Sequence, residues 1–248
     1  MKFRLNASAC FMFMVATLNL FVSAEISVVH DSQVPPVVVA MIENGPLNAV
    51  NRCGYVRHRQ RDDSSVRERY LPSRMEAPGI LLSVDGRAPN DREQRHYLAK
   101  RDKRSVRRHP LAFDIRAIAD VGSWSMAGEN EGDVTFYFGL APTRDFGERA
   151  AQMIRGILVI DRVRNQPKRI RIESVGPMYV KPFVRITEYW QEMEFAWDEE
   201  VDAATLIEVV THRRGSAFGI KSMDKNQRTQ YGNYDCGGNI NGFPEVEP

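Results

Sequence analysis

The chain has 248 residues, of which 27% are charged and 43% hydrophobic, with 34 basic against 32 acidic side chains and a formal charge of +2. That near-balance excludes the strong basic excess of a nucleic-acid binder. The length and apolar fraction are ample for a buried core.

The first residues read as an export signal. Lys2 and Arg4 precede an apolar run from Ala7 to Val22, and Val22-Ser23-Ala24 places small residues where a signal peptidase cuts. The reading predicts a signal peptide over 1–24, cleavage after Ala24, and a periplasmic or secreted product. The apolar run is shorter than the roughly 20 residues of a membrane span and is broken by Thr17 and Asn19, so the product is not expected to span a membrane. Ala7-Ser8-Ala9-Cys10 resembles a lipidation box, but it precedes the apolar run instead of following it. Loss of Lys2 and Arg4 brings the net charge to zero, because residues 1–24 hold no acid. Cys53 and Cys236 then remain, near opposite ends of a single β-rich domain over 25–236, with a flexible tail over 237–248. An even pair in an exported protein points to a disulfide. Two free thiols or a catalytic thiol are the alternatives, although no Cys-x-x-Cys motif supports redox chemistry.

After Pro35-Pro36, residues 37–47 suit a short helix or strand. Tyr55–Arg61 and Val66–Leu71 read as a hairpin around the polar turn Asp62-Asp63-Ser64-Ser65. Ile80–Val84 is a short strand stopped by Asp85-Gly86. Asn90 with Glu93 forms a capping box for a polar helix reaching about Arg108. A second helix starts at Pro110, with Leu111, Ile115 and Ile118 at helical spacing, and stops at Gly122. Ser123–Gly128 and Val134–Leu140 flank a turn at 129–133. Gly156–Asp161, a turn at Asn165-Gln166-Pro167, Arg169–Ser174 and a long or bulged Phe183–Trp197 follow. Leu206–Arg213, a hairpin turn at Arg214-Gly215, Ala217–Met223 and Arg228–Tyr234 complete the series. The expected fold is α+β, a large curved antiparallel sheet with two or three helices. So many strands exceed what the helices can cover, so the sheet closes as a barrel or curves around an apolar cavity.

No catalytic signature emerges. His30, His58, His96, His109 and His212 are scattered without metal-ligand spacing, so no metal and no cofactor are expected. Ser222 and Lys225 match a serine acyl-enzyme spacing but lack its companion motifs. Glu192 and Glu194 share a strand face, as an exposed acidic face would. Basic residues crowd Lys100–Arg108, whereas Glu188–Glu208 holds eight acids and no base. These runs suit either solvated faces or a basic patch for an acidic partner. Tyr189, Met193, Phe195 and Trp197 share one strand parity, as do Phe136 and Phe138. Either they are ordinary core or they line an apolar ligand cavity, where aromatic and Met side chains adapt their contacts.

Three stretches resemble the LolA-like periplasmic lipoprotein-carrier superfamily: RGILVIDRVRNQPKRIRIES, KPFVRITEYWQEMEF and GSAFGIKSMDKNQRTQYGNYD, together covering roughly residues 150–236. RERYLPS and LLSVDGRAPN are similar to stretches of uncharacterised exported bacterial proteins. The resemblance implies an open half-barrel with helices plugging one side, and binding of a lipid, an acyl chain or a lipidated protein without chemistry. The other classes are an envelope protein-interaction module, using the basic run, and an exported hydrolase with His58 or His212 beside a carboxylate.

Overall fold

The computed structural model describes residues 34–43, 53–71, 79–102, 115, 118–142, 147–181, 183–200, 202–219 and 221–236. All of them fall within one compact unit, Asp31–Pro248. The expected signal peptide, the tail over 237–248 and most of the second helix from Pro110 lie outside the described residues.

Eleven strands form one open antiparallel sheet. In chain order they are β1 (Gly54–Arg61), β2 (Ser64–Tyr70), β3 (Gly79–Val84), β4 (Ser125–Glu129), β5 (Asp133–Gly139), β6 (Ile154–Asp161), β7 (Gln166–Ser174), β8 (Met178–Lys181), β9 (Val184–Asp198), β10 (Ala203–Ala217) and β11 (Lys221–Asp235). Among the described residues the helices are α1 (Pro36–Glu43), α2 (Asp91–Asp102) and the single turn α3 (Glu148–Ala151). The spatial order is β3-β2-β1-β11-β10-β9-β7-β6-β5-β4, with β8 pairing to β9. The sheet is not a closed barrel, and β3 and β4 are its edges. Strands β1 and β11 pair although they lie at opposite ends of the domain. The Cys53–Cys236 disulfide joins the residue before β1 to the residue after β11.

Local chemistry sets the hairpins. Asp62 tolerates φ 46° in the β1–β2 turn. Asp85 and Gly86 both take positive φ after β3, and Asp85 accepts a hydrogen bond from the Ser65 N–H at 2.7 Å. Asn90 and Glu93 cap α2 reciprocally: the Glu93 N–H donates to Asn90 Oδ1 and the Asn90 N–H to Glu93 Oε2, each at 2.9 Å. Asn130 Oδ1 accepts from the N–H groups of Gly132 and Asp133 and closes the β4–β5 turn.

Two turn assignments change. The β6–β7 turn lies before Gln166, where Asp161 Oδ1 accepts from the N–H groups of Val163 and Arg164. The break expected at Arg214-Gly215 is strand: β10 runs unbroken to Ala217, and Ala217–Met223 is no separate strand. Gly215 is needed for a close approach, because a Cβ there would lie 2.2 Å from the carbonyl oxygen of Arg185 on β9. The pairing slips by one residue there, with Arg214 opposite Glu188 and Gly215 opposite Ile186. The turn itself contains Phe218 and Gly219, both at positive φ.

The core lies on one face of the sheet, termed inner here. Val134, Phe136, Phe138, Leu158, Ile160, Ile170, Ile172, Met193, Phe195 and Leu206 form one buried cluster with Val38 and Met41 of α1 and with Ile115. Strand alternation places them there.

Candidate functional site

Direct cross-strand partners share a face, so the register defines rows across the inner face. One row is apolar at its β7 end: Ile170, Met193, Val209, Thr229, Arg59 and Val66. The next runs Ile172, Gln191, Thr211, Gln227 and Arg61. Beyond it, Tyr189, Arg213 and Lys225 are aligned, and Ser174 Oγ accepts from the Tyr189 N–H at 2.9 Å. Ile186, Gly215 and Met223 restore apolar character one row further out. The long strands β9, β10 and β11 therefore carry a polar, cationic band between two apolar stretches on one face.

In the other direction the inner face leads to a buried ion pair. Arg57 donates to Glu68 Oε1 from Nε at 3.0 Å and from Nη2 at 2.8 Å. Tyr97 of α2 donates to Glu68 Oε2 at 2.9 Å, and Arg59 Nη2 stands 4.0 Å from the same carboxylate. Burial opposes the charge of Arg57, but Glu68 outweighs it and holds Arg57 above its ordinary value. Beside it Tyr55 stacks on Tyr70 at 4.9 Å and packs against Tyr231 and Tyr234. Burial pushes all four phenols up, so they stay neutral at physiological pH and act through O–H and ring.

The structure distributes the cavity candidates as follows. Phe136, Phe138, Met193 and Phe195 are buried in the common core cluster, and Tyr189 packs against it. Trp197 is half-buried, with the Arg164 guanidinium 5.4 Å over its ring. The polar band beside them gave no sequence signal: Gln191, Thr211 and Gln227 are aligned only by the register of the β9–β10 and β10–β11 hairpins.

The outer face carries a different row: Arg155, Glu173, Trp190, His212 and Asn226 on five neighbouring strands. Arg155 and Arg171 bind Glu173 at 2.6 and 2.8 Å. Arg171 also reaches Glu192 and lies 5.0 Å over Trp190. Buried His212 has Nδ1 2.6 Å from Asn226 Oδ1 and Nε2 3.5 Å from Glu188, and stacks on Trp190. It thus has a neighbouring carboxylate, and its contacts Asn226, Glu188 and Trp190 bring no hydroxyl or thiol to it. Glu208 accepts from Arg228 at 2.6 Å. The acidic strand segment thus meets bases of adjacent strands. A polar recess of about 540 Å³ also opens on this face, over His58, Arg67 and Gln230. Among the described residues, no group of three or more His, Cys, Asp or Glu is placed to hold a metal ion.

Comparison of the chain with family models, curated proteins and solved structures finds no match. Among the described residues no helix is long and apolar enough to cross a membrane, and the disulfide suits an oxidising compartment.

Proposed function

We propose that this chain is an exported, non-enzymatic binding protein whose inner sheet face holds an amphiphile, such as a lipid or the acyl group of a lipidated protein. The supporting observation is the change of chemistry along β9–β11. The row through Met193 and Val209 gives way to Gln191, Thr211 and Gln227, then to Arg213 and Lys225, without a change of face. An acyl chain would lie against Val209 and Met223, the partly buried members of the apolar rows, and its anionic head would meet the cationic band. The signal-like sequence of residues 1–24 and the LolA-like resemblance support this reading.

Titration with a fluorescent fatty acid tests it. The wild type should bind saturably, and the double variant R213E/K225E should bind on the order of tenfold more weakly, about 1.4 kcal/mol, with an unchanged thermal midpoint. No saturable binding, or equal affinity in the variant, would remove the proposal.

A further inference from the structure

One end of the sheet displays an aromatic pair that the core does not use. Phe183 precedes β9 and Phe218 follows β10, and they are 66% and 72% exposed. Their rings stack with centroids 5.4 Å apart and planes 12° apart. The Phe218 N–H donates to the Phe183 carbonyl at 2.7 Å, tying the two tips together. Tyr179 of β8, paired with Arg185, is 68% exposed at the same end.

Neither phenylalanine suits its place on structural grounds. Phe183 has φ 70° and Phe218 φ 54°. A bulky residue in the left-handed region is an outlier that costs on the order of 1 kcal/mol or more. Glycine or asparagine fills such turn positions without that cost. Two strained positions therefore hold large apolar rings in water, where burial cannot repay the strain. Moving the rings into an apolar phase removes the cost of their exposure and offsets the strain.

The charge around the pair selects that phase. Met178–Thr187 contains Lys181 and Arg185 and no acid, and Gly215–Met223 contains Lys221 and no acid. The next acids along the chain, Glu188 and Asp224, are each within 3.5 Å of Arg214. The tip is thus an aromatic knob on two segments that carry basic and no acidic residues, with the exposed Arg185 beside it. We propose that it docks on an anionic bilayer surface, the rings of Phe183 and Phe218 entering the interface and Arg185 meeting the headgroups. Binding at this tip is independent of any ligand on the inner face.

Co-sedimentation with vesicles of phosphatidylcholine and phosphatidylglycerol tests the proposal. The wild type should bind these vesicles, bind pure phosphatidylcholine vesicles more weakly, and dissociate as salt is raised. The variant F183N/F218N keeps residues that accept positive φ, so its thermal midpoint should hold or rise. Its vesicle affinity should fall on the order of tenfold for each ring lost. A second variant, R185E, should weaken binding to the anionic vesicles alone. Three results would overturn the proposal: no sedimentation of the wild type with anionic vesicles, undiminished binding by F183N/F218N, or a concentration-dependent dimer that F183N/F218N abolishes, which would make a second copy the occupant.

Discussion

Gly156 on β6 lies directly opposite Phe138 on β5, and its missing side chain is the space the Phe138 ring occupies. A Cβ at Gly156 would lie 2.1 Å from Cζ of Phe138. The ring has no easy escape, since it is 1% exposed and stacks on Trp124 at 4.7 Å. Overpacking of a filled core costs about 1–3 kcal/mol. G156A should therefore lower the unfolding free energy, read from urea denaturation, by about that much, and F138L should recover part of the loss in the double variant. Additive losses in the two single variants would show that the contact is not shared.

The disulfide spans 183 residues of sequence and clamps two strands that are already neighbours. In the chain-entropy account it acts chiefly by restricting the unfolded chain, by about 5 kcal/mol for so long a loop. C53S/C236S should reduce stability by about 2–5 kcal/mol, read from chemical denaturation with and without reductant. The variant alone should be insensitive to reductant.

What the sequence made legible was local. The β1–β2 hairpin carries its Asp62-Asp63 turn, α2 carries its Asn90–Glu93 box, and the even cysteine pair matches the Cys53–Cys236 bond. The β10–β11 hairpin was misplaced because Arg214-Gly215 has the composition of a turn. The glycine is there for the backbone of Arg185, and the turn holds Phe218, a residue that turn chemistry disfavours. The polar band was hidden for another reason. Gln191, Thr211 and Gln227 come together through the β9–β10 and β10–β11 hairpins, whose register depends on irregularities at Leu206/Glu208 and Arg214/Gly215 that no local pattern encodes.

The Arg57–Glu68 pair should be strongly coupled. Their side chains are 21% and 9% exposed, and Tyr97 completes the carboxylate's bonding. E68Q leaves a guanidinium in a site built for a carboxylate, and loss of one partner of a buried pair costs about 3–5 kcal/mol. Because Arg57 keeps some solvent access, the lower end of that range is expected. R57M/E68L should lose much less than the sum of the single changes, as measured by a double-mutant cycle in urea. Additivity would mean that each side chain acts alone.

Acid should destabilise the fold through three carboxyls. The side chain of Arg87 bonds Glu93 at 2.6 and 2.9 Å and, with the Asn90 N–H, pulls it down to about 2. Burial pushes Glu173 up, but its bonds from Arg155 and Arg171 prevail and hold it low. Burial also pushes Asp161 up, but the N–H groups of Arg164 and Val163, with Lys168, outweigh it. A carboxyl whose pKa is lower in the folded state stabilises the fold above its unfolded value, about 4.3 for Glu. That contribution disappears as pH falls through the folded value. Stability should thus be level above about pH 5 and decline steadily towards about pH 2. E173Q should make the decline shallower at any ionic strength. E93Q, at an exposed pair, should do so only at low salt. Urea midpoints at a series of pH values would check both slopes, and a decline equally steep in E173Q would show that Glu173 does not contribute.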